Sequence, residues 1–305
     1  MRVVVVGDCS LDISVQGAAA PPGGDTPAQI SLSPGGQGGN VAVRLARRGI
    51  DVRLATAIAD DAAGRILLAA LEGEGVELAR LPAQRSAMVV ALIDAAGERT
   101  MLSDRVSLDP SRVAAACAGA GWVHCSGYPL ADDATGGALA AVLGALPRAA
   151  RVSLGGGSFA VDPGRAERLR RRVEAAGLGL LVLGRGEAAV LLDRDLPSLP
   201  AAADALARAF PEAVAVVTGG ALGSSAAGPG FALSVPAHDA ATPVVDATGA
   251  GDAYAAGLIA DLLDVAWPPD VPTLRAAMEA ASRLGGLVSR VAGAQGRVAG
   301  EPGAA

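Results

Sequence analysis

The chain has 305 residues, of which 51% are hydrophobic and only 2% aromatic, with a formal net charge of −6. That length fits one large α/β domain or two small ones with a core of Ala, Val and Leu, and the acidic balance speaks against a nucleic-acid-binding surface. All 25 basic residues are arginines, so a Walker A loop, protein-kinase chemistry and Schiff-base catalysis, which need lysine, are excluded. Phosphate recognition is left to helix N-termini, arginine and metal. No apolar run reaches the roughly 18 residues that span a bilayer. The opening MRVVVVGD is too short for a signal peptide and reads as a strand. Cys9, Cys117 and Cys125 lack paired spacing and fit free thiols of a reducing cytosol.

Val3 to Val6 is a four-valine run, the mark of a strand buried on both faces. It ends in Gly7-Asp8 with Asp12 just beyond, and the carboxyl ends of strands are where open α/β sheets bind ligands. A turn-capping aspartate is the alternative for Asp12. A single Gly7 at this point is not a dinucleotide fingerprint. Leu11–Gln16 and Gln29–Ser33 alternate apolar and polar residues like strands with one wet face, around a Pro/Gly-rich loop over 18–27. In PGGQGGN, Gly35 and Gly36 would let a substrate ring lie against backbone, and Asn40 offers a donor and an acceptor. An N-cap is the alternative for Asn40 on a helix expected over Val41–Arg48.

Val52–Ala57 reads as a strand and Asp60–Leu71 as a helix. Ala87–Asp94 and Glu98–Leu102 read as a hairpin turning at Ala95-Ala96-Gly97, able to join the early polar-faced strands in a small separate sheet. Strands at Trp122–Cys125, Arg151–Leu154 and Leu180–Leu183 alternate with helices at Asp132–Leu146 and Pro163–Ala176, implying a parallel, doubly wound sheet. His124 reads as a core histidine and His238 as an exposed loop residue, so a histidine metal site has little to build on. Val214–Val217 leads into Thr218-Gly219-Gly220-Ala221-Leu222-Gly223, a loop or a hairpin turn, and Ser224–Ala227 and Phe231–Val235 after it read as paired strands. Thr273–Val291 reads as a closing helix.

The most informative stretch is Pro243 to Gly257, PVVDATGAGDAYAAG. A short strand end at Val244 and Val245 passes through a glycine-rich turn into a small-residue helix. Such a turn leaves several backbone N–H groups unpaired beside the positive end of a helix, a site for an anion. Gly249 and Gly251 admit a phosphate to the backbone at Ala250, and Asp252 stands in the first turn. An anion cradle with a carboxylate at its rim suits phosphoryl transfer, the carboxylate taking the proton of an attacking hydroxyl. The alternative is an aspartate cap on a buried helix. A helix N-terminus alone would hold Asp252 below the usual carboxylate range.

DATGAGDAY resembles the D-T-x-G-A-G-D-x-F signature of the ribokinase-like (PfkB) family of sugar and nucleoside kinases, and GGQGGN resembles the same family's sugar-binding G-G-x-x-x-N. The two occur in the family's order, and the resemblance runs from Arg2 to about Val298. It implies one domain over 1–305: a doubly wound, mostly parallel sheet flanked by helices, with a small β lid from about 11–34 and 84–104. It implies an ATP-dependent kinase of a ribose, fructose or ketodeoxygluconate type of sugar, cytoplasmic, with a possible homodimer through the lid. Asp12, Gly35, Gly36 and Asn40 would hold the sugar, with Asp104 and Arg105 also at substrate-facing positions unless they form a plain surface ion pair. Gly249, Ala250 and Gly251 would cradle the phosphoryl group, Asp252 would be the base, and Thr218, Gly220 and Gly223 would meet the nucleotide, with the edge of an adenine pocket as the alternative for His238. Glu187 matches the family's N-x-x-E glutamate that helps hold Mg²⁺ through water, and Asp246 matches a position that in some relatives binds a monovalent cation such as K⁺. Gly184 stands where relatives carry the Asn of that motif and Gly155 where many carry Asp, so a non-catalytic sugar or nucleotide binder is the rival from another class. A nucleoside kinase of the same family is the rival among enzymes, with few aromatics to stack a base.

Overall fold

A computed structural model describes residues 1–17, 23–94, 99–157, 163–239 and 241–301. The chain opens with β1 (Val3–Val6), β2 (Ser10–Gln16), β3 (Gln29–Gly35) and α1 (Gln37–Arg47). Next come β4 (Val52–Ala57), α2 (Ala62–Gly73), β5 (Glu77–Leu81), β6 (Ala87–Ile93) and β7 (Arg99–Asp104). The middle supplies α3 (Pro110–Ala116), β8 (Trp122–Cys125), α4 (Gly127–Ala131), α5 (Gly136–Gly144) and β9 (Arg151–Gly155). There follow α6 (Pro163–Ala175), β10 (Leu180–Gly184), α7 (Arg185–Leu192), α8 (Leu199–Ala209), β11 (Val214–Thr218), β12 (Ser224–Gly228) and β13 (Phe231–Val235), and two long helices close the fold, α9 (Ala250–Leu262) and α10 (Val271–Val288).

The main sheet has nine strands in the order β13-β12-β11-β10-β9-β8-β1-β4-β5. All neighbours are parallel except the β11-β12-β13 meander. Valines of β1 point alternately to two cores, Val4 and Val6 to one and Val3 and Val5 to the other, as a strand buried on both faces must. Helices α1, α2, α9 and α10 pack on the second face, and α3 to α8 on the first. The closing helices are small-residue rich; Ala281 comes within 3.1 Å of where a Cβ on Gly257 would lie, so glycine there permits close helix packing.

A second sheet of four strands, β3-β2-β6-β7, stands apart. Its pairings put Ile13 beside Leu32 and Val90, and Val90 beside Leu102, all on one face. The opposite face carries Asp12, Ser33, Val89 and Ser103. The predicted turn at 95–97 and the part of the 18–27 loop over 18–22 lie outside the described residues.

Three expectations change. The predicted helix over 132–146 is shorter, α5 over Gly136–Gly144, because the Asp132 carboxylate accepts from the N–H groups of Ala134 (3.0 Å) and Thr135 (2.8 Å) and sets a turn between it and the preceding short α4. Val244 and Val245 are not a strand end; they are 63% and 66% exposed, and Val245 N–H bonds the Ser289 carbonyl at 2.9 Å. Helix α1 begins at Gln37 rather than Val41, its N-cap being Gly36 at φ 84°, where a Cβ would meet the Asp8 carbonyl oxygen at 2.7 Å. Among the described residues no helix is long and apolar enough to cross a membrane.

Candidate active site

The carboxyl ends of the parallel strands, the turn into α1 and the turn into α9 meet in one cleft. Asp8 follows β1, Asp12 lies in β2, and Asn40 sits one turn into α1, so Asn40 is not an N-cap. Its side chain serves a long-range contact instead: Asn40 Nδ2 donates to Asp252 Oδ2 at 2.7 Å. Asp252 is in the first turn of α9, whose N-cap is Gly249 in the left-handed region at φ 78°. A Cβ on Gly249 would come 2.8 Å from Ala294 Cα, so glycine meets both a conformational and a steric demand. Asp252 therefore does not cap its helix; it faces the cleft and Asn40.

Burial sets the chemistry of this carboxyl. It pushes Asp252 up to about 7, with the charges of Asp8, Glu187 and Asp12 adding to the rise and the Asn40 N–H opposing it. The lowering expected from the helix N-terminus is overridden by desolvation among like charges. Asp12 is also pushed up, to about 6, by burial and by Asp8, against a 2.7 Å hydrogen bond from Ser10 Oγ and the charge of Arg105. Gly35 lies against the Asp12 carboxylate, in space a side chain would need.

Arg105 and Asp104 part company. Arg105 pairs with the buried Asp8 and lies over the Tyr128 ring, 3.3 Å from its centroid. Asp104 pairs with Arg85 at 2.6 Å in an ion pair whose partners are 51% and 56% exposed, the surface arrangement that was the alternative for it. The structure does not bring Asp104 into the cleft.

Glu187 accepts from Gly157 N–H at 2.6 Å and Gly184 N–H at 2.7 Å, joining the ends of β9 and β10. Burial raises its pKa against those two bonds. Its carboxylate fills the space a Cβ on Gly156 would take. Next to it, a Cβ on Gly155 would lie 3.0 Å from His124 Nε2. His124 is a core histidine, as expected: buried, 2.9 Å from Ser153 Oγ, and pushed down to about 4 by desolvation.

On the other side of Asp252 lies a cavity of about 200 Å³. Thr218, Gly220 and Gly223 line it from the loop after β11, and Ala250, Gly251 and Tyr254 line it from the start of α9. Gly220 and Gly223 have φ of 58° and 84°, so this loop needs both glycines. His238 lines the same cavity, as its alternative reading had it, rather than standing exposed without a role, and its backbone N–H donates to Ser282 Oγ at 3.0 Å. Sequence reasoning gave no role there to Tyr254 or Arg290, which acquire one only because α9 and α10 pack side by side under the loop.

Asp246 stands at the cradle's outer edge. Its Oδ1 accepts from Thr248 N–H and from Arg99 Nη2, both at 2.8 Å, and its Oδ2 from Gly293 N–H at 2.9 Å. Burial raises its pKa, but these bonds outweigh it and hold the carboxylate below the usual range. Arg99, at the start of β7, also donates to Thr248 Oγ1, so the small sheet is tied directly to the signature turn. No local pattern marks Arg99, because its partners are distant in sequence.

The pfkB family carbohydrate kinase profile matches residues 1–299. The chain is 29% identical to a fructokinase of Klebsiella pneumoniae over 96% of this chain and 94% of that one. Its fold matches a fructokinase of Vibrio cholerae O395 crystallised with fructose, ADP and calcium, with a TM-score of 0.78 at 22% identity, covering 96% of this chain and 94% of that one. It also matches a ribokinase of Cryptococcus neoformans var. grubii serotype A in complex with ADP, with a TM-score of 0.76 at 23% identity over 96% and 95% of the two chains. Signature, cleft and profile agree over nearly the whole sequence: the chain belongs to the pfkB family of carbohydrate kinases.

Proposed function

We propose that this chain is an ATP-dependent kinase of a neutral ketose or pentose, phosphorylating a terminal CH₂OH group. One observation carries the reading: Asp252, held by Asn40 in the first turn of α9, stands between a polar cleft and a cavity of about 200 Å³ lined by its neighbours Gly251 and Tyr254. Asp12, Asn40 and the backbone at Gly35 and Gly36 take the sugar hydroxyls. Asp252 accepts the proton as the hydroxyl oxygen bonds to the γ-phosphorus and the bond to the β-phosphate oxygen breaks, releasing ADP. The N–H groups of the N-cap Gly249 and of Gly251, with that of Ala250 once it leaves the Ala247 carbonyl it meets at 3.2 Å, steady the charge that gathers on the transferred group. The fructokinase relatives support a ketose. A sugar acid is disfavoured because Asp8 already pairs the Arg105 guanidinium, leaving a cleft rich in carboxylates.

Each Glu187 oxygen already accepts one backbone N–H, from Gly157 or Gly184, and keeps a lone pair for a water, which suits a water-bridged Mg²⁺. Among the described residues no cluster of three or more His, Cys, Asp or Glu could hold a metal by itself, and Mg²⁺ usually takes one or two carboxylates with phosphates and water. Glu187 would hold it through water, the metal neutralising phosphate charge. Around Asp246 the residues do not fit a monovalent cation while Arg99 is in place, because its carboxylate is already paired with a guanidinium and with Thr248 and Gly293. No step is assigned to such an ion.

We read the chain as one kinase domain of the cytosol, with β3-β2-β6-β7 as a lid whose Asp12 face looks on the sugar. The lid's other face carries Ile30 (63% exposed), Leu32 (58%) and Leu102 (58%), a patch suited to a second copy of this chain. Sedimentation should give a dimer, and Leu32→Asp should give a monomer of unchanged fold. A wild-type monomer at micromolar concentration would remove the dimer from the reading.

The substrate assignment is tested by an ADP-release assay over neutral ketoses, pentoses, sugar acids and nucleosides. Fructose or a pentose should exceed any sugar acid in kcat/KM by at least about tenfold, since like charges in a closed cleft cost more than that. Turnover confined to nucleosides would overturn the sugar reading. Sugar binding without turnover would make the chain a binder.

A further inference from the structure

An asparagine amide can face a carboxylate with either end, and only the Nδ2 end helps hold it as an anion. In this site something decides which end. Gln295 Nε2 donates to Asn40 Oδ1 at 3.2 Å, from the side opposite the 2.7 Å bond that Asn40 Nδ2 makes to Asp252. With Oδ1 engaged by a donor, the amide has one consistent orientation. The three groups form a line from the loop after α10, through α1, to the first turn of α9.

Gln295 is itself held. The carbonyls on either side of it, Ala294 and Gly296, both accept from Arg44 Nη2, at 2.9 and 2.8 Å. Arg44 is on α1, one turn beyond Asn40, and is 1% exposed. The helix that carries the amide thus carries the clamp that aims its partner. Gly293 N–H on Asp246 Oδ2 secures the loop's other end.

We propose that Gln295 is a positioning residue for phosphoryl transfer: it sets the Asn40 amide so that its N–H is aimed at Asp252. Gln295 itself touches no reacting atom. The proposal rests on the reading of Asp252 as the base. Losing the aim would turn Asn40 Oδ1 toward the carboxylate for part of the time, favour the protonated form, and leave less base at neutral pH.

The test is a carbon NMR titration of aspartate-labelled protein without substrate, with the Asp252 resonance assigned by its loss in Asp252→Asn. It runs beside the pH dependence of kcat/KM for the best sugar and MgATP. Gln295→Met keeps the shape, removes the N–H and adds no charge. Its Asp252 midpoint should rise by about 0.5–1 pH unit, since losing a charge-assisted hydrogen bond in full would move it by roughly one to two. Gln295→Glu, whose carboxylate would draw the Asn40 N–H to itself, should move the midpoint further. The acid limb of kcat/KM should follow in both variants. A lost packing contact would lower the rate evenly across pH and leave the midpoint in place. A fixed midpoint in folded Gln295→Met overturns the proposal. A midpoint that moves while the acid limb stays would leave the Gln295 contact standing and sink Asp252 as the base.

Discussion

Asp252→Asn is expected to lose about 10²–10⁴ of kcat, the usual contribution of a positioned base, while sugar and ATP still bind. The wild-type rate should rise with pH and level off above about 7, because burial beside Asp8, Glu187 and Asp12 holds the Asp252 proton until then and only the anion accepts another. A base with that midpoint suits neutral pH. The same shift has a stability consequence of the opposite sense. Between the ordinary carboxylate pKa and about 7 the folded chain keeps a proton the unfolded chain has lost, so stability falls as pH rises through that window. Asp252→Asn removes this cost. The variant should match wild type below pH 4 and melt higher than wild type above pH 7. Steady-state rates, calorimetric binding and thermal melts at two pH values check all three parts, and near-normal turnover in the variant would falsify the base assignment.

Arg44→Ala should lose about 3–5 kcal/mol of stability, the range for breaking a buried ion pair from one side. Arg44 Nη1 grips both oxygens of Glu301, at 2.7 and 2.8 Å, and the two side chains are 1% and 7% exposed. Removing the guanidinium strands a nearly buried carboxylate and frees the Ala294 and Gly296 carbonyls. Arg47, 3.2 Å from Glu301, keeps a partner there and should hold the loss toward the lower end. Glu301→Gln should cost less, because the guanidinium keeps its two carbonyls. Urea unfolding of the three proteins measures this directly. An Arg44→Ala loss below about 1 kcal/mol, the worth of an exposed pair, would mean that the clamp is not closed in solution.

Much of the architecture was legible in the sequence because it follows from local rules. Four valines in a row mark a strand covered on both sides, and the alternating β2 and β3 mark a sheet with two unlike faces. Gly249 and the turn before α9 follow from the conformations that glycine allows, and the absence of lysine removes whole classes of phosphate site. Asp12, Asn40 and Asp252 each stand where a local pattern puts a polar side chain at an element's end. Local pattern also left Asn40 and Asp252 readable as helix caps, because a side chain at a helix start has its own backbone as the nearest partner.

What decided between those roles was tertiary. Asn40 and Asp252 meet across 212 residues of sequence, Arg99 and Asp246 across 147, and Arg44 and Glu301 across 257. No periodicity or spacing encodes these meetings; they arise when α1, α9 and the small sheet close on one strand-end cleft. The protonation of Asp252 belongs to the same level. Its sequence neighbours offer only a helix N-terminus, which favours the anion, whereas the folded cleft removes water and brings three further carboxylates near, which favours the acid. Desolvation and the charges of distant residues exist only once the chain has folded, and in this site they outweigh the local dipole.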